Sequence, residues 1–284
     1  MTGLALLATA AAAGLPPITD PPSGEHHRGK FVWFDLVTTD VAGARRFYGE
    51  LLGWTFEQTG TDQDAYTLAT VAGAPVAGIA RRPVAAKQQQ ASRWVSFISV
   101  ADVPAGARQV TASGGRLLIP EQVVAGRGTM VVLADPDGAP FGLIDSVSGD
   151  PPDVMVEVGE WIWAVYQSPD AGSAAAFYQD IGGYEVIDDD RFPGTPHFLL
   201  AADGYTRASL AEIPPERLEL RPAWLYFVRV SDIKASLAQV VRLGGKVLVE
   251  TRPEALNGRI AVITDPGGAP LGLMEWDTDA DTED

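Results

Sequence analysis

The chain has 284 residues, 46% hydrophobic and 8% aromatic, enough apolar material to bury a core in each of two ordinary domains. A formal charge of −16 repels nucleic acid phosphates and anionic lipid, so neither is expected as a partner. There is no Cys, which excludes disulfides, thiolate nucleophiles and Cys-ligated zinc.

Residues 1–29 read as a signal-like or disordered extension. Gly3 to Leu15 is an apolar, Ala-rich run, too short to span a bilayer and followed by Pro16-Pro17 and Pro21-Pro22. Its length, and small residues such as Ala11 to Gly14, suit a secretory core and its cleavage site, although no Lys or Arg precedes Arg28. An exported or periplasmic protein is expected, with no membrane-spanning segment in the mature chain. The alternative is a cytoplasmic protein with a disordered extension.

Residues 30–148 form the first expected domain. Phe31 to Val37 has the aromatic and β-branched content of a strand, and Asp40 is placed to cap a helix whose apolar positions are Val41, Ala44, Phe47, Tyr48 and Leu51. Gly53 ends that helix, and strands at Trp54 to Gln58, Tyr66 to Val71 and Val76 to Ala80 complete a β-α-β-β-β module. A polar stretch, Lys87 to Ser92, leads to a second module. It has a strand at Trp94 to Val100, a helix over 103–112 and strands near Arg116 to Ile119, Met130 to Leu133 and Phe141 to Ile144. Asp135-Pro136-Asp137-Gly138 makes the tight turn between the last two strands.

After a linker at 149–158, residues 159–277 repeat the plan, with a solvated acidic tail at 278–284. Asp135 recurs 130 residues later as Asp265, and Asp40 as Asp170, Phe47-Tyr48 as Phe177-Tyr178, Gly53 as Gly183 and Gly114-Gly115 as Gly244-Gly245 at the same offset. One offset held over unrelated marks is an internal duplication. The expected fold is α+β: two tandem domains, each of paired β-α-β-β-β modules making a cupped, incomplete barrel.

These paired modules, the Phe47, Tyr48, Leu52, Gly53, Trp54 wording and the closing Asp-Pro-Asp-Gly hairpin resemble the vicinal oxygen chelate superfamily of glyoxalases, bleomycin-resistance proteins and extradiol dioxygenases. The resemblance implies a divalent metal held in the cup by His, Gln or Glu from the first and last strands of two modules. The corresponding positions here are Trp33, Val95, Trp163 and Leu225 on first strands and Ala77, Gly142, Ala208 and Gly272 on last strands. None can coordinate a cation, so no metal and no cofactor is expected there.

The reading is then a glyoxalase-like protein that binds a small organic molecule, mainly in the first domain. Trp33, Asp35 and Val37 share a strand face, as do Trp163, Val165 and Gln167, with Phe97 and Phe227 at matching places. Aromatic walls with a few polar groups suit a small-molecule pocket. Trp33 either walls such a pocket or plugs it; for Trp163, next to Val165, the plug is favoured. Asp35 is the candidate catalytic base, since an apolar cup disfavours its charge, unless an Arg or backbone amides pair with it. His197 falls opposite Tyr66, and both are candidate hydrogen-bonding groups. A lyase, isomerase or dioxygenase of the superfamily, and an interaction protein with plugged cups, are the alternatives. Gly126-x-Gly128 lacks the strand-to-helix setting of a phosphate loop.

Overall fold

The computed structural model describes residues 14–60, 65–82, 91–217, 220–253 and 258–276. The Ala-rich run up to Ala13, most of the Gln-rich stretch and the acidic end lie outside them. The first domain comprises β1 (Phe31–Thr38), α1 (Val41–Leu52), β2 (Thr55–Thr59), β3 (Tyr66–Val71) and β4 (Ala74–Arg81). Its second module is β5 (Arg93–Ser99), α2 (Val103–Ala112), β6 (Arg116–Val124), β7 (Gly128–Ala134) and β8 (Pro140–Ser146). The second domain repeats this with β9 (Trp161–Ser168), α3 (Ala171–Gly182), β10 (Glu185–Asp188), β11 (His197–Ala202) and β12 (Tyr205–Glu212). It closes with β13 (Ala223–Val230), α4 (Ile233–Arg242), β14 (Lys246–Pro253), β15 (Gly258–Thr264) and β16 (Pro270–Trp276).

Each domain is one eight-stranded mixed sheet, ordered β2-β3-β4-β1-β5-β8-β7-β6 and β10-β11-β12-β9-β13-β16-β15-β14. The outermost strands do not pair with each other, so neither sheet closes into a barrel. No helix among the described residues is long and apolar enough to cross a membrane.

The repeated Asp residues do local work first. Asp40, Asp102, Asp170 and Asp232 each accept an N–H from the first turn of the following helix, a cap contributing about 1 kcal/mol apiece. In the two closing turns, Asp135 and Asp265 accept the amides of Ala139 and Ala269, both at 2.8 Å.

Each turn Asp also serves the opposite half. Tyr178 donates to Asp135 Oδ2 at 2.8 Å and Tyr48 donates to Asp265 Oδ2 at 3.2 Å. Trp224 and Trp94 donate to those same Tyr hydroxyls at 2.8 and 3.1 Å. Where two separate cores were expected, the convex faces of both sheets share one. It runs from Phe34, Leu36 and Phe141 through the helices to Tyr166, Trp224 and Leu271. Phe34 stacks on Trp161 with centroids 4.1 Å apart, and Tyr226 donates to Ser96 at 2.9 Å. Helix α1 lies against α4 and α2 against α3.

From Gly14 onward the expected extension is part of the fold. Ser23 donates to the Asp150 carbonyl at 2.7 Å, the His27 amide donates to Asp150 Oδ2 at 2.7 Å, and Lys30 reaches Asp153 at 2.8 Å. Asp153 also takes Arg207 in two hydrogen bonds of 2.5 and 2.9 Å, tying the linker to β12.

Candidate functional site

The face of each sheet turned away from the shared core is a bowl. In the first domain Tyr66 from β3 and Ile119 from β6 belong to one buried cluster, so side chains from both wings of the sheet pack together on that face. Strand pairing sets the lining: Asp35 lies beside Gly78 and Val95, Trp33 beside Phe97, and Phe97 beside Gly142. In the second domain Val165 lies beside Ser209 and Leu225, Trp163 beside Phe227, and Phe227 beside Gly272.

Two positions differ from the sequence reading. Ala77 and Ala208 point into the shared core, and Gly78 and Ser209 face the bowls instead. Irregularities at Ala69/Thr70 and Leu200/Ala201 shift the pairing of those hairpins, and one residue of slip exchanges faces.

The first bowl is filled. Trp33, Asp35, Tyr66 and Phe97, the expected pocket, are each at most 1% exposed. Asp35 Oδ1 accepts from Tyr66 at 2.5 Å and from Trp33 Nε1 at 2.9 Å. Gly78 makes this possible, because a Cβ there would lie 1.7 Å from the Tyr66 hydroxyl oxygen. Burial raises the Asp35 carboxyl above its ordinary range, against the pull of the Arg127 charge and the hydrogen bonds from Tyr66 and Trp33. Arg127, fully buried, lies 4.1 Å over the Trp33 ring, donates Nη2 to Tyr66 at 3.3 Å and donates Nε to the Pro16 carbonyl at 2.9 Å. Leu15 and Ile18 pack into the same cluster. Asp35 thus lies in an apolar cup, as the sequence reading has it, with an Arg nearby, the alternative named there to its use as a base.

The second bowl is less tightly packed. Trp163, Val165, Leu225 and Trp276 are half-buried, whereas Trp33, Asp35 and Val95 at the matching first-domain positions are buried. Its floor is Phe227, Ile260 and Met274. Trp163 Nε1 donates to Ser209 at 3.1 Å, fixing the indole. Strand pairing sets His197, Ala211, Gln167 and Ala223 in one row along the upper edge, so a polar rim with a low middle stands above an apolar wall. His197 Nδ1 lies 3.0 Å from Asp189, and its ring is 4.3 Å from that of Phe192. Hydrogen bonds from Arg191 hold the Asp189 carboxyl below the usual range.

The residues do not fit the superfamily's metal. Around the two bowls the family positions carry Trp33, Gly78, Val95 and Gly142, and Trp163, Ser209, Leu225 and Gly272. Phe97 and Phe227 lie over the two glycines, 2.2 Å from where a Cβ would stand, and so fill the space of a ligand side chain. Asp35 offers a single carboxylate to the first bowl and Ser209 a single hydroxyl, held by Trp163, to the second. Among the described residues no three His, Asp or Glu side chains converge.

Sequence reasoning missed Arg127, Leu15, Ile18 and Trp276. A signal for Arg127 exists: the repeat breaks there, since Gly126-Arg127 stands where the second half has Leu256-Asn257.

Duplicated β-α-β-β-β modules forming two bowls define a protein of the vicinal oxygen chelate superfamily. The profile of the glyoxalase-like domain family matches residues 31–144 and 163–274, and the chain belongs to that family. It is similar to CFP32 of Mycobacterium tuberculosis, whose name places it provisionally among the glyoxylases, with 29% identity over 257 residues covering 90% of this chain and 98% of the relative. It is also similar to the anthracycline biosynthesis protein DauV of Streptomyces sp. strain C5, with 30% identity over 261 residues, covering 87% of this chain and 93% of DauV. Among solved structures, the Mn(II)-bound glyoxalase of Novosphingobium aromaticivorans shares the fold at TM-score 0.60 and 18% identity, covering 90% of this chain and 85% of that one.

Proposed function

We propose that this protein binds a small, flat organic molecule in the second bowl, without a metal at the family position. The observation that carries the reading is the contrast between equivalent walls. Trp163, Val165, Leu225 and Trp276 keep solvent-facing apolar surface at positions where the first bowl is packed shut. Half-exposed indoles over a Phe and Met floor suit ring stacking, and the rim at His197 and Gln167 supplies polar groups to orient the ligand. Relatives named for anthracycline biosynthesis agree in kind, anthracyclines being flat fused-ring aromatics. The first bowl, expected as the main pocket, has no accessible wall for this role.

Titration with 1,8-dihydroxyanthraquinone, read by quenching of Trp fluorescence, tests the reading. Saturable binding is expected, weakened at least tenfold by Trp163→Ala and unaffected by Val123→Ser on the outside of the first sheet's edge. Equal affinity in the wild type and Trp163→Ala would sink it.

A further inference from the structure

We propose that the first bowl is a binding site for a short apolar peptide, occupied in this protein by its own residues 14–19. The hairpin tip joining β6 to β7 is shaped around that segment. The Leu15 amide donates to the Ala125 carbonyl in that turn at 2.9 Å. Gly14 and Gly126 stand at the crossing with φ of 82° and 79°; a Cβ on Gly126 would lie 2.3 Å from the Leu15 carbonyl oxygen. Gly128, at φ 114°, lets the next strand leave at once, since a Cβ there would meet the Asp145 carbonyl oxygen at 2.0 Å. Between these glycines the chain turns Arg127 inward.

The contacts describe a recognition site rather than simple filler. Leu15 and Ile18 supply two aliphatic anchors in the cluster that holds Trp33, Tyr66 and Phe97, and the Pro16 carbonyl takes the Arg127 Nε. Pro16 and Pro17 bring no amide hydrogen that the bowl would have to satisfy. Thr19 closes the far end by donating to the Ser148 carbonyl at 2.9 Å. A plug selected only for packing would be matched by apolar walls, which cost less to bury than a guanidinium. Instead the cluster that takes Leu15 and Ile18 buries a carboxylate and a guanidinium, of which Asp35 Oδ2 and Arg127 Nη1 have no hydrogen-bond partner among the described residues. In sequence, Gly126-Arg127 corresponds to Leu256-Asn257 in the second half, so the Gly-Arg pair is not repeated.

The test uses the full chain carrying Leu15→Asp and Ile18→Asp, titrated with a C-terminally fluorescein-labelled peptide of the sequence Leu-Pro-Pro-Ile-Thr. Binding at least tenfold tighter than to the wild type, whose own segment competes, is expected, with at least a tenfold loss when Arg127→Met is added. Equal affinity for the two chains overturns the proposal, as does no binding to a double variant whose circular dichroism matches the wild type. Should the double variant fail to fold, amide exchange of the wild type decides. The Leu15 amide is expected to exchange at least tenfold faster than the amides of β5, because the segment releases on its own; equal rates would make it inseparable from the core and overturn the proposal.

Discussion

Replacing Asp35 by Ala would strip the acceptor from the Tyr66 hydroxyl and the Trp33 indole and leave Arg127 buried opposite no charge. Removing one partner of such a group costs about 3–5 kcal/mol, and urea unfolding should show a loss of that order. Asp35→Asn keeps an acceptor and loses the charge, so its effect depends on pH. Burial raises the folded-state pKa of Asp35 above its unfolded value. Its protonation therefore adds stability that is present below about pH 4 and lost as pH rises through the folded pKa. Wild type relative to Asp35→Asn is expected to lose stability on going from pH 4 to 8, measured as the difference between two urea-unfolding series. A flat difference would mean that this carboxyl is not desolvated.

The linker behaves in the opposite sense. Burial alone would raise the Asp153 carboxyl, but the hydrogen bonds and charges of Arg207 and Lys30 outweigh it and hold the group well below its ordinary value. Its stabilisation is present above the unfolded pKa of about 4 and lost as pH falls through the folded value. Asp153→Asn should therefore be less stable than wild type at neutral pH, and the two should converge in acid. How much of each element could be read from sequence follows the range of the forces that make it. Helix starts at Asp40, Asp102, Asp170 and Asp232, and turns at Asp135 and Asp265, were legible because a side chain there bonds an amide three or four residues away. The identity of the bowl-facing residue on β4 and β12 was not, because an irregular pair at Ala69/Thr70 or Leu200/Ala201 leaves no mark in composition. Nor was the seating of Leu15 and Ile18 in the first bowl, a contact with Ala125 and Arg127 more than a hundred residues away.

At the scale of the whole molecule, the shared core makes the two domains one cooperative unit. Phe34, Trp94, Trp161, Trp224 and Tyr226 interleave across the boundary, and neither half could keep them from water alone. Calorimetry should give a single transition with equal calorimetric and van't Hoff enthalpies, whereas two resolved transitions would show independent halves. Tyr48 reaches Asp265 as Tyr178 reaches Asp135, each half lending a hydroxyl to the turn of its twin. That reciprocity is the signature of an isologous contact, the kind two identical subunits make about a twofold axis, here written into a single polypeptide. Such a seam constrains both copies alike, since a change in either must still suit its opposite number. The bowls, which face away from that seam, are released from the constraint, and so one could be stoppered by its own chain while the wall of the other kept exposed apolar surface.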